Sequence, residues 1–137
     1  MPHRFEFDSE ARVLLAILEG AMHGWEISVA ANEITPHFDD LRLSAVIADF
    51  TAVTDFDVAG AMIRLQSKRD VAVVRNTHYV LVVPQTHMFG LARMYELSAD
   101  PPFPHLQIVR TREEAFASLK LSSPKFASLV LPQQSSQ

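Results

Sequence analysis

The chain has 137 residues, 48% of them apolar and 20% charged, with 16 acidic against 12 basic side chains and a net charge of −4. That length suits one domain with a real core, and the acidic balance offers no basic face to neutralise phosphates, which disfavours nucleic-acid binding. Cysteine is absent, so disulfide and thiolate chemistry are excluded. His3 to Phe7 alternates polar and aromatic residues, as a half-exposed strand does. The Asp8-Ser9-Glu10 turn leads into the continuously apolar run Val13 to Leu18, an inner strand that pairs back as a hairpin. Trp25, Val29 and Asn32 to Ile34 follow helical spacing and predict a helix over 22–34. Pro36 ends it, because proline disfavours helical geometry in the residue before it.

Ser44 to Phe50 predicts the third strand, and Thr51 to Asp57 an acid-and-threonine turn, with Asp55 or Asp57 capping the next helix. In that helix Val58, Met62 and Leu65 define a buried face, while Arg64, Ser67 and Lys68 point elsewhere. Residues 70–77 read as a loop. His78 to Val83 is a β-branched strand closed by Pro84, and Thr86 to Ser98 is a helix with Met88, Leu91, Ala92 and Tyr95 inward. Asp100 to Pro104, with three prolines, is a rigid loop. His105 to Val109 is a last short strand. Thr111 and Glu114 form a capping box for a helix that turns Ala115, Phe116 and Leu119 inward.

This order, ββα followed by βα units, predicts an α/β fold: a mixed, mostly parallel sheet of about five strands, four flanking helices and an antiparallel N-terminal edge hairpin. Residues 1–120 form the domain. Residues 121–137 form a partly disordered tail, in which Phe126 to Leu131 is apolar enough to lie against a neighbour. The polar N-terminus MPHRFEFDSEAR lacks the apolar run of a signal peptide, and Val13 to Leu18 is too short to cross a bilayer. The expectation is a cytoplasmic protein without integral membrane association.

Two segments carry a family resemblance. Asp49-Phe-Thr-Ala-Val-Thr-Asp-Phe-Asp57 precedes a helix, and Phe89-Gly-Leu-Ala-Arg-Met-Tyr95 is followed by Leu106 to Phe116. From residue 3 to residue 119 the chain resembles the STAS domains, in particular the bacterial SpoIIAA-like branch of anti-sigma-factor antagonists. In that family the turn reads Asp-Ser-Ser-Gly, and a partner kinase phosphorylates the second serine. Here the four residues are Asp57-Val58-Ala59-Gly60, so Asp57 and Gly60 match and both hydroxyls are gone. The resemblance therefore implies the fold and a partner surface without the phosphorylation cycle.

In parallel sheets, ligands and partners meet the loops beyond the carboxyl ends of strands. Convergence of the 51–57 and 84–87 loops would gather Thr54, Asp55, Asp57, Gln85 and His87 at one rim; the plainer reading makes Thr54 and Asp57 turn formers and caps. A docking face for an unknown protein partner would comprise Thr54, Asp55, Phe56, Asp57 and Arg64. Phosphorylation of Thr51 or Thr54 would meet repulsion from Asp55 and Asp57. The alternative is a small apolar or anionic ligand held by Gln85, His87, Met88, Phe89 and Arg93, an idea supported by the likeness of the STAS fold to CRAL-TRIO lipid-transfer domains. Arg93 otherwise pairs with a structural carboxylate, and the Met and aromatic stripe otherwise packs as core.

The six histidines (His3, His23, His37, His78, His87 and His105) show no HxH, HxxxH or HExxH spacing, so no metal is expected. No GxGxxG, P-loop or GxSxG motif occurs, and no cofactor is expected. Asp49, Asp55 and Asp57 are the only acid–base candidates, and residues two apart at a helix start diverge. The expectation is a non-enzymatic interaction or regulatory module. The N-terminal edge strand or the apolar tail could pair with a second copy.

Overall fold

A computed structural model describes residues 3–73 and 77–131. The elements are β1 (His3–Asp8), β2 (Val13–His23), α1 (Gly24–Ile34), a 3-10 turn (Thr35–His37), α2 (Phe38–Leu41), β3 (Ala45–Asp57), α3 (Gly60–Val73), β4 (His78–Val82), α4 (Thr86–Leu97), β5 (Leu106–Val109), α5 (Arg112–Ser118) and β6 (Ala127–Leu129). They build the expected mixed α/β sheet, in the order β5-β4-β3-β2-β1-β6. β2, β3, β4 and β5 are parallel neighbours, and β1 is antiparallel to both β2 and β6.

The connections explain why the two faces differ. The crossovers β2-α1-β3, β3-α3-β4 and β4-α4-β5 all step one strand in the same direction. Crossovers of one hand that step one way place their helices on one face. α5 instead lies on the return from β5 across the sheet to β6, and it covers the opposite face. Strand alternation serves both sides. Val13, Leu15, Ile17, Ala45, Ile47, Val80 and Val82 meet Ala115, Phe116, Leu119 and Phe126. On the broad face, Leu18, Ala48, Leu81 and Val83 meet Val58, Ile63, Met88, Ala92 and Tyr95. Phe5, Leu14 and Val46 meet Ile34.

Local chemistry sets several boundaries. Asp8 closes the hairpin by accepting at Oδ1 from the Glu10 and Ala11 N–H groups, each at 3.0 Å, and at Oδ2 from Lys125 N–H at 2.9 Å. These bonds to the ionised form hold its carboxyl below the usual range. Thr111 caps α5 through Glu114 N–H at 3.1 Å. The proline-containing loop after α4 delivers Phe103 onto the ring of Tyr95, with centroids 5.2 Å apart.

Four readings of the sequence need correction. Residues 51–57 are strand, not turn, and β2 likewise runs on to His23. The reason is a pair of irregularities where β3 carries extra residues opposite β2, between Ile17/Glu19 and Gly20/Ala21, with Gly20 at φ +75°. Such bulges break the period of two. α3 accordingly begins at Gly60 and continues through Val73, across much of the expected 70–77 loop; residues 74–76 lie outside the described structure. Its buried face is Ile63, Gln66, Ser67 and Val71, whereas Leu65 is exposed. Ser67, expected to point outward, is therefore buried, and Leu65, expected inward, is exposed, because Val58 precedes the helix and does not set its inner face. Finally, the tail supplies β6, whose Leu129, Ser128 and Ala127 pair with Phe5, Glu6 and Phe7. This covers the β1 edge that was the candidate for pairing with another copy. Residues 132–137, the end expected to be disordered, lie outside the described residues.

Candidate functional site

β3 is longer than its neighbour β4. β4 pairs with Ala45 to Asp49 and stops there, whereas β3 runs eight residues further, to Asp57, against β2 alone. Beyond Asp49, the side of β3 facing away from β2 has no strand partner among the described residues. One side chain reaches across it: Gln85 Nε2 donates to the carbonyls of Val53 at 3.1 Å and Phe50 at 3.4 Å. An unpaired strand edge of this kind is a template for a further strand.

The bulges decide which side chains this segment shows. Val53 and Phe56 both turn into the broad-face cluster, and the Phe56 ring meets Phe50 edge-on with centroids 6.0 Å apart. Thr51, Thr54, Asp55 and Asp57 remain exposed. Asp57 is therefore the last residue of a strand rather than a helix cap, 4.0 Å from His23 Nδ1 across the β2–β3 arm. The α3 start is satisfied instead by the backbone, since the Ala59 carbonyl accepts from Met62 and Ile63 N–H. Ala59 is exposed at this point. Gly60 lies so close to α4 that a Cβ would stand 3.3 Å from Met94 Sδ.

The expected residues thus divide. Thr54, Asp55 and Asp57 share the outer side of the β3 extension, and Gln85 meets its edge. Phe56 faces inward. Arg64 is exposed on α3, with Nη1 3.8 Å from Met94 Sδ. Of the ligand set, His87 is exposed, and Phe89 lies beneath the Arg110 guanidinium at 4.0 Å. Arg93 is exposed and pairs with Glu96 at 2.6 Å. Of that set, Met88 lines a cleft.

That cleft lies between the broad sheet face and α1, α3 and α4, with an empty volume of about 620 Å³ including its open mouth. Its walls are mostly apolar, and its polar groups form one chain. Ser28 Oγ donates to Gln66 Oε1 at 3.2 Å, and Gln66 Nε2 donates to Asp70 Oδ1 at 2.8 Å. The Tyr95 hydroxyl donates to Asp70 Oδ2. Burial raises the Asp70 carboxyl above its ordinary range, against the lowering effect of these two donors and of the Arg69 charge. Burial also raises both Tyr79 and Tyr95, so the hydroxyls stay protonated. The sequence reading missed Asp70 because it ended the helix too early; the Gln66/Asp70 spacing of four was the available signal.

On the opposite face, Asp49 is 1% exposed and pairs with the Arg112 guanidinium at the start of α5. It also accepts from Thr51 N–H at 2.9 Å and Thr51 Oγ1 at 2.5 Å. With all these donors it is a structural lock between β3 and α5 rather than an acid–base group. Among the described residues no cluster of three His, Asp or Glu side chains is placed to hold a metal ion. No helix among them is long and apolar enough to cross a membrane.

No family model matches the chain, and no curated protein matches it in sequence. Among solved structures, the unphosphorylated form of the anti-sigma factor antagonist SpoIIAA superposes with a TM-score of 0.53 at 15% identity. The match covers 86% of this chain and 97% of that one. The architecture is therefore the SpoIIAA-like, STAS-type fold. At such identity the likeness speaks for the fold.

Proposed function

We propose that this chain is a non-enzymatic interaction module of the STAS type, which docks a protein partner along the outer edge of β3 and the adjoining start of α3. The observation that supports this most is the unpaired side of residues 51–57, flanked by exposed Thr54, Asp55 and Asp57. An extended partner segment can add main-chain hydrogen bonds there. The two carboxylates favour basic side chains on that segment and discourage the edge from pairing with a second copy of itself. The SpoIIAA-like fold agrees with a regulatory role, while Ala59 has no oxygen to accept a phosphoryl group, so the regulation is by contact rather than by a phosphorylation cycle at that position.

The test is capture from native extract of the source cells with immobilised wild-type protein and with the double variant Asp55→Lys/Asp57→Lys, matched for folding by circular dichroism. The expected result is a partner held by the wild type and lost by the variant. A partner held equally by both would move the docking surface elsewhere.

A further inference from the structure

The α1/α3/α4 cleft does not end at Asp70. A second cleft, also with about 620 Å³ of empty volume including its mouth, runs beneath α1 past Leu14, Ala16, Val46 and Phe38. The two share Ile27, Phe50, Asp70 and Tyr79 as walls. Asp70 thus stands midway along an elongated apolar groove between α1 and the sheet. The groove is not a simple packing seam, because its polar chain from Ser28 through Gln66 to Asp70 and Tyr95 is fully connected and ends on a carboxyl group.

That carboxyl group has no cation in direct contact among the described residues. Gln66 and Tyr95 are neutral donors, and among the described residues no Lys, Arg or His lies within 4.0 Å of it; the Arg69 charge acts on it only from farther off, as the smallest of the influences on it. A half-buried carboxylate on an apolar wall is costly unless a cation pairs with it. A fatty acid would bring a second negative charge to the same point, and the arginine expected to receive an anion, Arg93, faces outward against Glu96.

We propose that this groove binds a small hydrophobic amine, its ammonium group seated on Asp70 and its apolar body lying along Ile27, Phe50, Met62 and Leu91. The ammonium supplies a cation in direct contact, which Arg69 at its greater distance does not, and the apolar walls take the chain. This site is separate from the β3 edge, so occupancy and partner docking can be scored independently.

The probes are decylamine, decanol and decanoic acid, each below its micelle concentration, followed by isothermal titration and native mass spectrometry. The expected result is one-to-one binding of decylamine, weaker binding of decanol and none of decanoic acid. Asp70→Asn should weaken decylamine by about tenfold or more, the size expected for a charge-assisted hydrogen bond, while leaving decanol unchanged. Ala92→Leu, which fills the groove without touching the carboxyl group, should abolish both, and keeps the test open should Asp70→Asn fold poorly. Binding of decanoic acid as tight as that of decylamine overturns the proposal. So does undiminished decylamine binding by Asp70→Asn, or no binding of decylamine to the wild type.

Discussion

The two faces of the sheet are built from the same strands by alternate residues, yet they are different materials. Val13, Leu15, Ile47, Val80 and Val82 meet α5 and the returning tail in a closed layer, locked by the Asp49–Arg112 pair. Leu14, Ala48, Phe50 and Tyr79 meet three separate crossover helices that leave a groove between them. One helix seated on the sheet can be fitted closely, whereas three helices joined by different strands must also fit each other. On this account the closed face carries stability, and the open face, with the long β3 edge beside it, carries the surfaces proposed to bind.

If that contrast is right, truncations on the closed face cost most. Ile47→Ala, at a side chain with no exposure, should lower unfolding free energy by about 3–4 kcal/mol in urea titration. Arg112→Ala strands the buried Asp49 carboxylate and should cost about 3 kcal/mol by the same measurement, at the lower end for a buried pair because Arg112 is partly exposed. Leu91→Ala, beside the groove, should cost only about 1 kcal/mol or less, since its methyl groups already border empty space. A loss at Leu91 equal to that at Ile47 would erase the distinction.

The faces should also respond oppositely to pH. The Asp70 carboxyl is raised from its ordinary 3.8 by burial, so the folded state holds its proton where the unfolded state has released it. Stability from this group is full below the ordinary value and is lost as pH rises through the raised one. The Asp8 carboxyl is lowered from 3.8 by backbone donors, and its contribution is present above that value and lost as pH falls. Asp70→Asn should therefore gain stability relative to wild type as pH is raised from about 4 to 7, in thermal melts across that range. A constant difference between the two proteins would contradict the burial assigned to Asp70.

The regularly patterned parts of the molecule, on both faces, were the legible ones. Val13 to Leu18, His78 to Val83, the Met88/Ala92/Tyr95 stripe and the Thr111 cap follow period two, period 3.6 or capping chemistry, and the structure places them as those patterns imply. The β3 extension and α3 follow no single period. In β3, the bulges let Val53 and Phe56 both face inward although they are three apart, so the strand read as a turn. In α3, Gln66, Ser67 and Asp70 are polar residues on the inner face, which hides the helix from any hydrophobic pattern. β6 is three residues long and gains its stability from β1 rather than from its own composition. Of the candidate site, the acid and threonine side chains at 54, 55 and 57 could be read directly, and their placement on a strand edge could not.

Amide hydrogen exchange on the free protein, resolved residue by residue along β3, tests the central claim most directly. The account predicts strong protection throughout residues 45–49, where β2 and β4 flank the strand on both sides. Within 51–57 it predicts fast exchange at those amides that face away from β2. Uniform slow exchange from Ala45 to Asp57 would mean that the edge is already covered, and would contradict a docking role for it.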